Sequence, residues 1–437
     1  MSDTTSGSFS QLVGDDVTDD HRLDPGDIAI GVIIGRTAEF FHFFVFAIAS
    51  VIVFPRLVFP FVDPLTATLY SFAVFALAYV ARPFGSWMFM AVDRRFGKGT
   101  KLTTALFLLG TSTVAVAFLP TYEQAGMYSV WLLVILRIGQ GVGLGGSWDG
   151  LASLLAMNAP KEQDGWWAMV PQIGAPFGLA LASGLFAFFH GFLPEAEFYA
   201  WGWQFPFFVA FAVNVVALFC RLRIVATPEY VHQFERRELQ AAGVRDTVRR
   251  FPRFIMVGTF APLASFAMFH MVTVYPLSWV ELFTEENVTH FLIIESIGAV
   301  IGTLAIVVSG LLADRYGRRT LLAATAGGMI VFSALAPSLL GMGETGEIIY
   351  MGLGFALLGL AFGQSSGAVA SNFPTRYRYT GSAIVSDLAW MFGAGAAPFV
   401  ALFLSAQFGL VAGGLYLFSG AVCTLLALRY NQLLVQR

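Results

Sequence analysis

Several side chains able to carry charge or a proton interrupt stretches that are otherwise apolar: Arg36, Glu39, His42, Arg137, Gln140, Asp149, Gln172, His270, Asn372 and Asp387. An ionisable group inside an apolar run of membrane-spanning length is costly unless paired or hydrated, so each is a functional candidate. Arg36, Glu39 and His42 or Phe43 follow helical spacing and share a face. Arg36 and Glu39 can pair there while Glu39 or His42 exchanges a proton; the alternative is a structural ion pair against a neighbouring helix. Arg137 lies too deep to reach either end of its run, with Gln140 one turn away. Its guanidinium suits bidentate capture of a carboxylate, or else it pins its helix to Glu39 or Asp149. His42 and His270 fall at corresponding places in two halves of the chain and are expected to face each other, titrating near neutrality, unless each is a packed hydrogen-bonding group. Asp387 is a second proton candidate, and Gln172 and Asn372 are weaker substrate contacts.

The elements that must position these groups are membrane helices. Of 437 residues, 57% are hydrophobic and 12% charged, where a soluble protein carries about a quarter charged. Apolar runs bounded by charge, proline and turn residues predict spans near 28–54, 65–92, 102–119, 128–157, 165–190 and 203–222, then 254–281, 290–313, 320–341, 347–372, 380–406 and 409–430. The fold class is an all-α membrane protein of twelve helices in two six-helix halves, residues 28–222 and 253–430. A polar linker, 223–252, joins them; an acidic tail, 1–27, precedes them and 431–437 follows. The tail has no apolar core, so it reads as solvated rather than as a cleavable signal.

Charge is segregated, so the net value of −3 argues neither for nor against an anionic partner, and no nucleic-acid partner is expected. Arg94, Arg95, Lys98 and Lys101 follow span 2, Arg315, Arg318 and Arg319 follow span 8, and the linker is rich in arginine. The opposite loops hold Glu123, Glu195, Glu197, Glu285, Glu286, Glu344 and Glu347, with Arg56 as the exception. The positive-inside bias then puts both termini and the linker in the cytoplasm. Cys220 and Cys423 lie in or near apolar runs and are read as packing groups without a disulfide. No Cys/His spacing suggests a metal, and no cofactor is expected.

An internal repeat supports the two halves. Asp93-Arg94-Arg95-Phe96-Gly97-Lys98 follows span 2, and Asp314-Arg315-Tyr316-Gly317-Arg318-Arg319 follows span 8. Related halves are a mark of transporters that rock about a central site. The run Gly310 to Arg319 resembles the loop signature of the major facilitator superfamily, in which an Asp beside arginines pairs across the halves. That resemblance makes Asp93, Arg94, Gly97 and Lys98, with Asp314, Arg315, Gly317 and Arg318, a cytoplasmic gate. The first copy has Met90 where the family has glycine, so its gate is expected to pack less tightly. Arg82-Pro83-Phe84-Gly85, Arg137-Ile138-Gly139-Gln140-Gly141 and Phe373 to Gly381 are similar to segments of the metabolite:proton symporters in that superfamily. Departures surround the presumed cavity: His42 and Ser147 stand where that branch is acidic, Asp149 and Asp387 where it is neutral, and Asp164-Gly165 where span 5 has an arginine.

The letters Gly141-Val142-Gly143-Leu144-Gly145-Gly146 match a dinucleotide fingerprint, but no strand precedes them. Glycines four apart, such as Gly139/Gly143, Gly174/Gly178 and Gly298/Gly302, read instead as close helix packing in lipid. The resemblance implies proton-coupled symport of a small polar metabolite, with a carboxylate or zwitterion favoured because Arg36 and Arg137 can neutralise it. The partners are that solute, protons and the bilayer, and the protein is expected to be a monomer of the bacterial inner membrane. A proton antiporter for amphipathic compounds is the alternative, disfavoured by Gly174-Ala175-Pro176-Phe177-Gly178, which lacks that group's double-glycine ending. A membrane enzyme or sensor is the remote alternative, and no nucleophile–base or metal grouping supports an enzyme.

Overall fold

The computed structural model describes residues 25–147, 152, 155, 160–227, 241–365 and 373–435. Among them eleven helices are long and apolar enough to cross a membrane. One of these, Pro64–Ala117, is 54 residues long. At about 1.5 Å per residue it would exceed twice the roughly 30 Å apolar thickness of a bilayer. It is broken at Gly97, whose φ of 83° and ψ of 167° reverse the chain, so it supplies spans 2 and 3. The twelve spans are span 1, Ile28–Ile52; spans 2 and 3, Pro64–Ala117; span 4, Met127–Gly146; span 5, Asp164–Phe192; and span 6, Gly202–Val225. They continue with span 7, Pro252–Phe283; span 8, Val288–Tyr316; span 9, Arg318–Leu340; span 10, Glu344–Phe362; span 11, Arg376–Phe408; and span 12, Leu410–Asn431.

Local chemistry sets the boundaries. Asp63 caps span 2 by accepting from Thr66 N at 3.1 Å, with Pro64 in the first turn. Asn287 caps span 8 through Thr289 N at 2.8 Å. Gly317, φ 85°, ends span 8 as Gly97 ends span 2, so the repeat read in the sequence recurs as one backbone conformation only glycine adopts easily. Span 7 is interrupted, running as Pro252–Phe260, Leu263–Met271 and Val274–Phe283, and span 11 widens into a π-helical stretch at Trp390–Gly395.

Packing inside each half depends on glycine. A Cβ on Gly141 would lie 2.4 Å from Ala78 O and one on Gly145 2.2 Å from Arg82 O, so spans 2 and 4 touch backbone to backbone. Gly174 and Gly178 meet Thr37 N and Phe41 N of span 1 at 2.6 and 2.7 Å in the same sense. These are the close approaches expected of small residues in lipid. The halves meet through spans 1 and 7, 2 and 11, and 5 and 8. Adding six to the members of the 2–11 pair gives 8 and, after returning to the first half, 5, so the last two contacts are symmetry copies.

Candidate functional site

Glu39 is the hub of a buried charge cluster. Its Oε2 accepts from Arg36 at 2.7 Å, and its Oε1 from Arg221 at 2.7 Å and from Ser147 Oγ at 2.9 Å. Arg221 also donates to the Ser147 carbonyl at 3.2 Å. Spans 1, 4 and 6 are thereby tied together, and both carboxylate oxygens are occupied. Gly35 makes room for this, since a Cβ there would sit 2.2 Å from Arg221 Nε. The expected Arg36–Glu39 pair is present. Arg221, at the end of the run predicted as span 6, was not among the candidate residues, although its place inside an apolar run signalled a buried partner.

A second pair crosses the half interface. Arg82 Nε lies 2.7 Å from Asp387 Oδ1, and the other oxygen of Asp387 accepts from Ser86 Oγ. Arg82 stood in a recognised motif without being named as a site residue; its depth in span 2 was the available signal.

Arg137 is part of a third network. Its Nε donates to Phe75 O at 3.1 Å and its Nη1 to Gln140 Oε1 at 2.9 Å, while its guanidinium lies 4.0 Å from the Phe46 ring centre. Gln140 Nε2 donates to Thr113 Oγ1 at 3.0 Å, and His42 Nδ1 is 2.9 Å from the same oxygen. Thr113 gives its one hydroxyl proton to Leu109 O at 2.8 Å, so His42 Nδ1 must be the donor in its bond. His42 and His270 do not face each other, contrary to expectation: His270 Nε2 bonds the Tyr79 hydroxyl at 2.8 Å, and the ring stacked on His270, at 5.2 Å, is Phe43. The rotation of one residue along span 1 decides this, because His42 and Phe43 point about 100° apart. Arg137 contacts no Glu39 oxygen; Asp149 and Asn372 lie outside the described residues. Gln172 is buried in the 3-10 stretch Val170–Ile173, its Oε1 without a partner.

Between the halves is a cavity of about 420 Å³, lined by Arg36, Glu39, Phe40, Phe43, Ala78, Tyr79, Arg82, Leu144 and Trp390. It brings two guanidinium groups and one carboxylate together under four aromatic rings. Of the described candidate residues only Arg36 and Glu39 line it; Arg137, Gln140, His42, Gln172, His270 and Asp387 do not. The π-helical turn carries Trp390 to this wall, and its ring stands 5.8 Å from Phe40 and 6.2 Å from Tyr79. Among the described residues no cluster of His, Cys, Asp or Glu gathers to hold a metal.

The two basic loops contact the opposite half. Lys101 Nζ donates to Tyr379 of span 11 at 2.8 Å and lies 3.7 Å from Asp93; Lys98 Nζ sits 4.0 Å from the Tyr379 ring centre. Asp314 accepts from the backbone of Gly165 and Trp166 at 2.6 and 3.1 Å, and Arg318 donates to Asp164 O at 3.1 Å and Gln364 at 3.2 Å. Arg94 reaches only Ala242 O, at 3.5 Å, and Arg315 lies over its own neighbour Tyr316. The expectation of loose packing at Met90 fails. Met90 is buried with Ala241, Tyr379 and Ala383, a side chain filling the gap that is closed at Gly310, where an added Cβ would lie 3.1 Å from Trp166 Cα of span 5.

At the other end Arg56 pairs with Glu195, and His190 bonds Thr289 at 2.8 Å from span 5 to span 8. Contacts between the halves thus lie beyond the cavity in both directions, with the aromatic layer of Phe40, Phe43, Phe269 and Trp390 between.

Two packed helical halves with a cavity of charged and aromatic side chains at their interface define a multi-pass membrane transporter rather than an enzyme. The family model described as Major Facilitator Superfamily matches residues 36–398, and the chain belongs to that family. It is 36% identical over 410 residues to the inner membrane metabolite transport protein YhjE of Escherichia coli K12, covering 92% of each chain. It is 27% identical over 394 residues to the shikimate transporter of the same organism, covering 87% of this chain and 88% of the relative. A crystal structure of a D-xylose-proton symporter superposes with a TM-score of 0.69 at 18% identity, covering 93% of this chain and 96% of the other.

Proposed function

We propose that the protein takes up a small carboxylate or zwitterion by proton-coupled symport, with the 420 Å³ cavity as its binding site. The observation that carries this is the presence of Arg36 and Arg82 on one cavity wall, with Glu39 alone as anion in the lining. A substrate carboxylate accepts from one or both guanidinium groups in place of Glu39 or Asp387, and the aromatic rings cover its apolar or cationic part. A relative named as a shikimate transporter supports a carboxylate, shikimate being an acid. Residues 28–222 and 253–430 rock about the site, joined by the 223–252 linker, with the termini 1–27 and 431–437 and the basic loops in the cytoplasm of a bacterial inner-membrane monomer. Asp93, Lys98 and Lys101 on Tyr379, with Asp314 and Arg318 on span 5, act as the inner gate.

The test is uptake of labelled carboxylates, betaines and amino acids into proteoliposomes with and without an inward proton gradient. Accumulation of one compound that collapses with a protonophore, and loses affinity in Arg82→Lys, is expected. Export of an amphipathic dye with no gradient-driven uptake would replace this reading with the antiporter.

A further inference from the structure

Glu295, about two turns into span 8, is 1% exposed and makes no hydrogen bond or ion pair among the described residues. Its Oε2 is enclosed without a partner. The other buried acids where the halves meet have a cation beside them, Glu39 with Arg36 and Arg221, Asp387 with Arg82, and Asp93 with Lys101 at 3.7 Å. The titratable groups on the spans packed against span 8 are committed elsewhere or bring no cation. His190 of span 5 bonds Thr289, Tyr350 of span 10 bonds the Met271 carbonyl, Tyr275 of span 7 bonds Ser405 at 2.8 Å and His270 bonds Tyr79. His290, nearer the helix start, lies 3.7 Å from Glu344; Glu281 and Glu347 are themselves acids; and Arg318 and Arg319 of span 9 belong to the far, basic end.

An isolated carboxylate in such a place is far costlier than a neutral acid, which leaves polar groups unpaired but buries no charge. Its position also couples it to movement. Glu295, Gly302 and Ile306 are spaced by seven and four and lie along one line of span 8. Gly302 and Ile306 border an apolar cavity of about 300 Å³ walled by Phe44, Ala175, Pro176 and Leu179 from the first half and by Phe269 and Phe355 from the second. One helix face thus runs from the acid to a space walled by both halves.

We propose that Glu295 is the carboxyl group that carries the coupled proton, neutral while spans 5 and 8 are packed and discharged when their separation admits water. This rests on the proton-coupled reading above. The proton leaves to water as hydronium and returns from water on the other side, so no further reactant is needed.

Two measurements test it. In purified protein at neutral pH, the infrared carbonyl band of an un-ionised carboxylic acid should lose intensity in Glu295→Gln; an unchanged band overturns the proposal. In proteoliposomes, Glu295→Gln should retain counterflow of the compound that the wild type accumulates but lose gradient-driven accumulation, falling to the equilibrium level. Glu295→Asp should restore accumulation with a shifted pH profile, which a structural role alone would not produce. Accumulation at the wild-type level in Glu295→Gln removes Glu295 and leaves proton coupling standing. Wild-type transport indifferent to the gradient removes both.

Discussion

Gly35→Ala should invert the usual effect of that exchange. In a helix interior with free space, Gly→Ala stabilises by about 0.8–1.0 kcal/mol. Here the added Cβ would stand 2.2, 2.6 and 2.7 Å from Nε, Nη2 and Cζ of Arg221, against a comfortable separation of about 3.5–4.0 Å. The guanidinium must retreat by about 1 Å, which carries its 2.7 Å bond to Glu39 past the roughly 3.2 Å limit of a good hydrogen bond and opens the 3.2 Å bond to Ser147 O. Because Glu39 keeps Arg36 and the Ser147 hydroxyl, the carboxylate is not orphaned; the loss is the charge-assisted bond between Arg221 and Glu39, about 1.5–3 kcal/mol, with the longer bond to Ser147 O weakened as well. Purified protein heated in detergent and passed over a sizing column should therefore melt several degrees lower. In an Arg221→Ala background the obstacle is gone, and Gly35→Ala should stabilise. A double-mutant cycle reads the difference. Equal shifts in both backgrounds, or a rise in melting temperature in the wild type, would refute the placement of Arg221 on Glu39.

Three further outcomes follow from other parts of the structure. Arg137→Met, which fills the aromatic cage left by a guanidinium that does not border the cavity, should leave the transport KM within about threefold; a tenfold rise would return Arg137 to substrate binding. Tyr379→Phe removes the 2.8 Å bond from Lys101 and the 3.4 Å bond to Asp93, bonds to charged groups worth about 1.5–3 kcal/mol each to closure of the proposed inner gate, so a cysteine introduced at Ala383 in a background lacking Cys220 and Cys423 should label about tenfold faster or more. Unchanged labelling would mean that the two basic loops are not closed by that hydroxyl. Outside the membrane, Arg250 and then the Tyr377 hydroxyl hold Asp246 below the ordinary aspartate range. That tie is present above the unfolded aspartate pKa and is lost as pH falls through the lower folded value, so exchange protection of Val244–Arg250 should drop only in that acid window and Asp246→Asn should abolish the pH dependence.

The architecture was legible in the chain because a bilayer imposes a one-dimensional rule: about twenty apolar residues per crossing, with the same loop chemistry after span 2 and span 8. The repeated Asp-Arg run ending in glycine, Asp93 to Gly97 and Asp314 to Gly317, announced the two halves, and Gly97 and Gly317 carry it in the backbone with φ of 83° and 85°. Arg36 and Glu39, three residues apart, were bound to meet by helical spacing alone. What lies between helices was not legible, since it depends on the rotation and depth of each span. One position along span 1 aimed Phe43 rather than His42 at His270, and Glu39 found Arg221, 182 residues away, while Asp387 found Arg82 across 305. Glu295 shows the same limit from the other side: the sequence marks a charge in an apolar run, but only packing shows that among the described residues no cation pairs with it. Composition and period fix which segments enter the membrane, whereas the partner of a buried charge is chosen by three-dimensional approach, where a rotation of about 100° per residue turns an ion pair into an orphan.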